Sequence, residues 1–356
     1  MEKSNMSEKK QAWLLLQDGT LLSGESFGAS GSAVGEVVFS TAMTGYQEAL
    51  TDPNYRGQIL IQTFPMMGNY GVNSEDFTGS RCLLKGCIVR EWCEAPSNFR
   101  SEGCIDQFLK EQGVIALCGI DTRRLTALLR DKGTMNGMIS TEPITDKEAA
   151  LREISAHKAD GPAVLTDRPA DIDGSGRRIA VVDLGSPSSA AAGLAARGCA
   201  VHFAKASDSA DELAGYDGVA LSEGPGDPAA CTEAIKLAAA LAEKKTPLLG
   251  IGLGHQVLAL AMGAKTEKLP YGHRGASQPV IDLRTSKTYP TAQNHGYVVS
   301  GLPASAGEVS HQNVNDKSCE GIRYAHIPAI SVQFRPIGPG EGQDTGYIFD
   351  EFLRLC

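Results

Sequence analysis

The sequence predicts an α/β protein with two domains: a mixed α+β domain, then a domain whose mainly parallel sheet lies between helices. Three observations lead to this fold class. A chain of 356 residues is long for one hydrophobic core and suits two. The first part combines short β-rich runs with two helical patterns, whereas strands and helices alternate regularly in the last part. A stretch of little pattern, rich in Asp, Gly and Arg, separates these parts.

The first domain is predicted over residues 11–140. The Asp18-Gly19 dipeptide between two apolar runs is typical of a hairpin turn. Asp121 can cap a helix whose leucines form one face and which ends at Gly133. The predicted elements are strands at Trp13–Gln17, Thr20–Ser23, Glu36–Ser40, Gln58–Phe64 and Cys82–Glu91, and helices at Ser101–Gln112 and Asp121–Gly133.

Residues 141–178 are predicted to be a linker and residues 179–356 the second domain. Short apolar runs in this domain indicate buried strands. Asp227-Pro228 can open a long helix, and two lysines at its other end suit the negative end of the helix dipole. The predicted strands are Ile179–Leu184, Ala200–Ala204, Gly218–Ser222, Leu248–Ile251 and Ala329–Phe334, and the predicted helices are Ser189–Arg197, Ala229–Lys245, Gln256–Met262 and Gly346–Leu355.

Charge and cysteine usage narrow the class of protein. A net charge of −9 argues against nucleic acid or an anionic membrane as a partner. Residues 1–11 lack the apolar core of a signal peptide, and no apolar run is long enough to span a bilayer. Nine cysteines, an odd number without a C-x-x-C pair, indicate free thiols in a reducing cytoplasm. We therefore expect a cytoplasmic protein.

The stretch from Pro247 to Ala264 organises the second domain. A short apolar run leads into glycines at positions 250, 252 and 254, and a helical pattern follows. Such a strand–turn–helix lifts one residue out of the sheet, above a helix N-terminus that can hold an anion. Enzymes place a nucleophile at this point, but this chain places Gly252 there. Because ligands of parallel sheets lie beyond the carboxyl ends of the strands, the Ser222–Pro228 loop and the segment after Phe334 should border the same crevice.

Gly250–Gln256 resembles the G-x-C-x-G-x-Q elbow of class I glutamine amidotransferases, and the chain as a whole resembles the small subunits of carbamoyl phosphate synthetase. In the first domain the supporting motifs are L-L-L-Q-D-G-T (14–20), V-G-E-V-V-F (34–39), M-T-G-Y-Q-E (43–48), E-A-P-S-N-F-R (94–100) and G-I-D-T-R-R-L-T-A-L-L-R-D-K-G (119–133). In the second domain they are G-P-G-D-P (224–228), G-H-Q-V-L-A-L-A-M-G-A-K-T (254–266), Q-N-H-G-Y (293–297), S-V-Q-F (331–334) and I-F-D-E-F (348–352).

The resemblance implies a function as well as a fold. The family's second domain hydrolyses glutamine through a cysteine thiolate, which is activated by a histidine that a glutamate orients. The ammonia released passes to a large synthetase subunit. The first domain docks on that subunit, to which ATP and Mg²⁺ belong, so no cofactor is expected in this chain. The reaction serves arginine and pyrimidine biosynthesis. By the same resemblance, glutamine is held at Gln256, Asn294, Gly296 and Tyr297, and backbone groups of Gly224, Gly226 and Leu253 form the oxyanion hole.

The departures from the family pattern fall on the chemistry. The nucleophile position is Gly252, the base position is Arg335 and the orienter position is Ile337. An arginine stays protonated at neutral pH and cannot act as a general base. Glu223 replaces an asparagine of the oxyanion loop, and Asn54 replaces a serine that helps to hold glutamine in the family. The stretch 183–189 also lacks the family's lysine and asparagine.

Other residues offer no evident substitute for the lost catalyst. His255, His295 and His311 stand in stretches typical of the family, so structural roles account for them, and Cys319 lies on a turn without a base nearby in sequence. The His and Cys residues show no metal-ligand spacing, so no metal site is expected. Three functions stay open: a structural or regulatory partner of the large subunit, a small subunit still active through a rearranged site, and a module that senses glutamine or another small ligand.

Two predictions concern the geometry of the degenerate site. Gly252 should have a positive φ, because nucleophile elbows hold this residue in a sparsely populated conformation that glycine tolerates. Glu223 and Arg335 lie on two loops of one crevice, and a carboxylate can accept the two-pronged donor face of a guanidinium. We therefore expect a salt bridge that plugs the former glutamine pocket. The alternative is that both side chains point to solvent.

Overall fold

The computed structural model describes residues 10–158, 169–336 and 343–356. The chain divides into two compact units, Met1–Ala159 and Asp160–Cys356. Within the described residues, no helix is long and apolar enough to cross a membrane.

The first unit is a closed barrel of seven strands with helices around it. Its strands are β1 (Gln11–Leu16), β2 (Leu21–Gly28), β3 (Ser32–Ser40), β4 (Gln58–Gln62), β5 (Met66–Met67), β6 (Gly86–Ile88), β7 (Glu91–Trp92), β8 (Ile115–Cys118) and β9 (Met135–Ser140). Its helices are α1 (Tyr46–Thr51), α2 (Ile105–Glu111), α3 (Thr122–Lys132) and α4 (Lys147–Ala156). The barrel order is β1-β2-β8-β6-β4-β3-β9, and β5 pairs only with β7. The mixed α+β prediction is therefore confirmed for this unit.

Apolar residues at alternate strand positions form the barrel interior, among them Leu14, Leu16, Ile59 and Ile61. Closure leaves no strand edge exposed, which stabilises a sheet built from such short strands. Helix α3 begins as predicted, because the Asp121 carboxylate accepts a hydrogen bond of 2.9 Å from the backbone N–H of Arg124.

The segment predicted as a linker contains α4. Asp146 caps this helix by accepting a hydrogen bond of 2.9 Å from the Ala149 N–H. Ala150 and Ile154 are buried with Leu15 of the barrel. The linker prediction is wrong for this part, because only a narrow apolar stripe marks the helix and a short stripe gives a weak periodic signal.

The second unit carries one sheet of nine strands. Its strands are β10 (Arg178–Asp183), β11 (Ala200–Lys205), β12 (Gly218–Leu221), β13 (Leu248–Ile251), β14 (Lys265–Asp282), β15 (Thr288–Ser300), β16 (Gly307–Asn313), β17 (Cys319–Tyr324) and β18 (Ala329–Val332). Its helices are α5 (Ser188–Ala195), α6 (Ala210–Leu213), α7 (Thr232–Glu243), α8 (Leu253–Ala261) and α9 (Tyr347–Leu355). Helix α7 begins later than predicted, since Pro228–Ala230 forms a separate 3-10 turn.

The sheet has a parallel half and an antiparallel half. Strands β11-β10-β12-β13-β18 are parallel neighbours, and β17, β15, β14 and β16 continue the sheet in antiparallel fashion. Apolar residues of α7 and α8 pack on one face, and those of α5 and α9 pack on the other. This confirms a parallel sheet between helices. The antiparallel half escaped prediction because β14 and β15 are rich in polar residues and interrupted by Gly and Pro.

Candidate functional site

The turn between β13 and α8 forms the centre of the site. Gly252 caps α8 with φ 58° and ψ −113°, which confirms the predicted positive φ. Its N–H donates to the carbonyl of Val332 in β18 at 2.9 Å. A side chain at this position would be strained because L-residues rarely adopt this conformation.

The two flanking glycines let the elbow lie close to its neighbours. A Cβ atom at Gly254 would lie 2.1 Å from the carbonyl oxygen of Leu221, and one at Gly250 would lie 2.6 Å from the carbonyl oxygen of Gly254. Both distances are far below van der Waals contact. The elbow backbone is therefore fixed by close packing, whether or not residue 252 carries a reactive side chain.

An ion pair lies directly against the elbow. Arg335 Nε donates to both carboxylate oxygens of Glu223 at 3.0 Å, and Nη2 donates to Oε2 at 2.8 Å. The side chains are 11% and 7% exposed, so the pair is buried. Ser189 Oγ donates to Glu223 Oε1 at 2.5 Å. The predicted approach of these two charges is thus observed, and the solvent-facing alternative is excluded.

Glu223 occupies the space next to the nucleophile position. A Cβ atom at Gly252 would lie 3.0 Å from Glu223 Cγ and 3.4 Å from its Cβ. A residue with a side chain at position 252 would therefore require Glu223, which Arg335 and Ser189 hold in place, to shift by a few tenths of an ångström.

The crevice lacks the parts of an acyl-transfer site among the residues that the structure describes. Gly252 offers no nucleophile, and Arg335 cannot accept a proton at neutral pH. Ile337, the predicted orienter position, lies outside the described residues. Gly224 and Gly226 lie on the loop after β12, Leu253 is the first residue of α8, and Gly226 has φ 103°. A Cβ atom at Gly224 would lie 2.9 Å from Leu253 Cδ2, so this loop contacts the start of α8.

Residues predicted to hold glutamine bind one another in this structure. Gln256 Nε2 donates to the carbonyl oxygen of Tyr297 at 2.7 Å and to Gln333 Oε1 at 2.8 Å. These bonds tie α8 to β15 and to the chain just before Arg335. Asn294 and Gly296 lie on the same strand, partly exposed. Asn54 belongs to the first unit, in the 3-10 turn Pro53–Tyr55, and is not among the residues that the second unit brings together.

The alternative histidines are buried and neutral. Burial, and then the charge that His311 can carry, lowers the pKa of His255 to about 3, and its Nδ1 lies 2.7 Å from Ser331 Oγ. Burial lowers the pKa of His311 to about 4, and its Nε2 lies 2.7 Å from Tyr347 Oη. Both rings are thus buried and uncharged near neutral pH, and His255 Nε2 has no hydrogen-bond partner among the residues that the structure describes.

The thiols of the second unit offer no replacement nucleophile. Burial raises the pKa of Cys231 and Cys319 to about 12 and that of Cys356 to about 11. The pKa of Cys199 is also raised by burial. Because the thiolate is the reactive form, these cysteines are unreactive near neutral pH.

One polar cluster was missed at the level of sequence. His273 on β14, His295 on β15 and Glu320 on β17 place one ligand atom each within 4.8 Å of the others. Spacing along the chain gave no signal, because three strands contribute one residue apiece. Only the pairing of β14 with β15, and of β15 with β17, brings them together.

Comparison with known proteins assigns both units. Residues 180–355 match the family model described as glutamine amidotransferase class-I, so the second unit is a class I glutamine amidotransferase domain. Residues 14–139 match the model described as carbamoyl-phosphate synthase small chain, CPSase domain. The chain belongs to the carbamoyl phosphate synthase small chain family.

Relatives of this name match over almost the whole chain. The protein of Bacillus caldolyticus is 45% identical over 348 residues, which cover 96% of this chain and 95% of the relative. The protein of Fusobacterium nucleatum is 42% identical over 357 residues, covering 96% and 97%. The protein of Clostridium perfringens is 42% identical over 353 residues, covering 97% and 99%.

Proposed function

We propose that this chain is a small subunit of carbamoyl phosphate synthetase that has lost glutamine hydrolysis and serves as a structural or regulatory partner of the large subunit. The complex then forms carbamoyl phosphate from bicarbonate, ATP and free ammonia, for arginine and pyrimidine biosynthesis. ATP and Mg²⁺ bind to the large subunit. Family membership over both units supports the partnership.

The buried Glu223–Arg335 pair is the observation that carries the loss of hydrolysis. A guanidinium at the base position keeps its proton. It binds the carboxylate of Glu223, whose Cγ lies 3.0 Å from where a Cβ atom of residue 252 would be. Nucleophile and base are therefore both absent, and a charged pair takes their place. Without them, oxyanion stabilisation could act only on attack by water, which is a poor nucleophile.

The proposal is tested on the complex. The chain is co-expressed with the large subunit from its own source, and carbamoyl phosphate formation is measured with glutamine or with an ammonium salt as nitrogen donor. We expect co-purification, and product with ammonium only. Glutamine-dependent product would contradict the loss of hydrolysis, whereas failure to co-purify would contradict the partnership.

The two other functions give different results in simple assays. A rearranged active site would release glutamate from glutamine. A sensing module would bind glutamine without releasing glutamate, which isothermal calorimetry detects. The bonds that Gln256 makes to Tyr297 and Gln333 argue against such a module, because a ligand would have to replace them.

A further inference from the structure

The antiparallel half of the second unit holds a buried set of metal-binding side chains. One ring nitrogen each of His273 and His295 and one carboxylate oxygen of Glu320 lie within 4.8 Å of one another. His273 is 7% exposed and Glu320 is fully buried. Two imidazoles and a carboxylate are a donor set that suits Zn²⁺ and neighbouring divalent ions.

In each of the two imidazoles, the nitrogen that points away from the cluster, here called the outer nitrogen, lies within hydrogen-bond distance of an acceptor oxygen. His273 Nε2 lies 2.8 Å from Asp316 Oδ2, and His295 Nδ1 lies 2.7 Å from the carbonyl oxygen of Tyr297. Because a carbonyl oxygen can only accept, Nδ1 of His295 carries the proton. The inner nitrogens are then His273 Nδ1 and His295 Nε2. Histidines that bind metals usually have their other nitrogen held in this way.

The side-chain oxygen of Gln293 faces the inner nitrogen of His295 without a proton between the two atoms. Gln293 Nε2 donates at 3.0 Å to Thr291 Oγ1 and at 3.0 Å to Glu320 Oε2. Its Oε1 therefore faces His295 Nε2 at 2.9 Å, with a lone pair on each atom. In a neutral imidazole the single proton is then on Nδ1, where Tyr297 accepts it, so Nε2 has a lone pair available for a metal ion.

We propose that His273, His295 and Glu320 bind one divalent metal ion of the zinc class, with Gln293 Oε1 as the fourth ligand. Two ligands at zinc bond lengths and a tetrahedral angle lie about 3.4 Å apart. His273 Nδ1 and Glu320 Oε1 are 3.2 Å apart and match that value. Four protein ligands leave no open position, so the ion is structural and holds strand β15 beside β14 and β17. This site does not depend on the function proposed above.

The test uses the full chain after removal of metal by a chelator. Cobalt(II) is titrated and followed by absorption, and zinc affinity is measured against a chelating indicator. We expect one ion per chain, visible bands of a four-coordinate nitrogen and oxygen site, and no thiolate charge-transfer band. The last point separates this site from the nine free cysteines.

Three variants locate the site. Glu320→Gln should weaken zinc binding at least 100-fold, because it removes the only anionic ligand. Asp316→Asn should weaken it by about 10- to 100-fold, the usual effect of losing the partner of a ligating histidine. His311→Gln is the matched control, since His311 is a buried histidine of the same unit outside the cluster, and it should bind zinc like the parent.

Three results would overturn the proposal: no ion bound at one equivalent, a thiolate band in the cobalt spectrum, or parental affinity in Glu320→Gln. If His273 instead carries two protons between Asp316 and Glu320, no ion binds. Should Glu320→Gln fail to fold, as judged by circular dichroism, Asp316→Asn decides. The Asp316 side chain is 40% exposed, so this variant should fold. Unchanged zinc affinity in Asp316→Asn would overturn the assignment.

Discussion

Two buried polar clusters of the second unit neutralise a carboxylate by different means. In the crevice, Glu223 is bound by the guanidinium of Arg335, whose charge is permanent in the accessible pH range. In the antiparallel half, Glu320 contacts the imidazole of His273, which can titrate. Burial raises the pKa of Glu320. Burial alone would lower the pKa of His273, but its contacts with Glu320 and Asp316 have the larger effect, so that pKa is raised.

The comparison shows that the backbone of the elbow and the titratable side chains of the unit are determined independently. The elbow keeps its shape through backbone packing at Gly250 and Gly254, which needs no reactive group. The histidine of α8, His255, has its pKa lowered to about 3 by burial and then by the charge that His311 can carry. The shape of this turn therefore does not depend on which side chain occupies position 252.

Removing one partner of the crevice pair should have the largest effect on stability. Glu223→Ala leaves the Arg335 charge buried without its counterion, and we expect a loss of about 3–5 kcal/mol. The measurement is native-state hydrogen exchange of the α8 amides, because both tryptophans, Trp13 and Trp92, lie in the first unit. The matched control is Lys244→Gln, which breaks the exposed pair with Asp211 and should leave exchange close to that of the parent. Equal effects would contradict a buried pair.

The buried imidazoles should make the second unit sensitive to acid. The folded-state pKa of His311 is lowered to about 4, so below the usual value of about 6.5 the unfolded chain binds a proton that the folded chain does not. Stability is therefore lost as pH falls from 6.5 towards 4, by about 1.4 kcal/mol per pH unit. His311→Gln should reduce the loss between pH 6.5 and 4.5 by about 2 kcal/mol.

The exposed His326 provides the control for acid sensitivity. His326→Gln replaces a histidine whose side chain is exposed, so the substitution removes no buried imidazole. His273 and Glu320 act in the opposite direction: their pKa values are raised, so their contribution is lost as pH rises. Only the comparison of variants therefore isolates His311. Identical slopes for the two variants would show that burial of His311 does not set its protonation.

Restoring a side chain at the elbow should have a smaller effect than removing Glu223. Gly252→Cys places a non-glycine residue at φ 58° and a Cβ atom 3.0 Å from Glu223 Cγ. We expect a loss of about 1–3 kcal/mol in α8 hydrogen exchange, and no gain of glutamine hydrolysis. The same substitution made in a Glu223→Asn background should cost less, because a shorter side chain at position 223 leaves more room for the new Cβ atom. A single variant as stable as the parent would contradict the strain.

Local patterns predicted the parallel half of the fold well. Buried strands such as Ile179–Leu184 are continuous apolar runs, and Gly252 stands out as the middle of three alternating glycines. Helix α4 and strands β14 to β17 were not predicted. The helix has only a narrow apolar stripe and the strands are rich in polar residues, so both resemble loops in a sequence. Their assignment depends on tertiary pairing, which no local window contains.

The candidate site, like the fold, could be predicted from the sequence only in part. Positions 252 and 335 were readable because fixed motifs surround them, and the opposite charges of Glu223 and Arg335 suggested their contact. The burial of that pair could not be read from the sequence, since it depends on α5 supplying Ser189. The cluster of His273, His295 and Glu320 left no trace, because strand register alone aligns its members.

Release of glutamate from glutamine is the most direct test of the central claim, that the crevice no longer hydrolyses glutamine. The purified chain, alone and with its large subunit, is incubated with glutamine, and glutamate is measured with and without prior treatment by a thiol-alkylating reagent. The account predicts glutamate at the uncatalysed rate in every sample, because Gly252 carries no nucleophile and Arg335 no available lone pair. Faster release that alkylation abolishes would contradict it and would show that another cysteine has taken over the reaction.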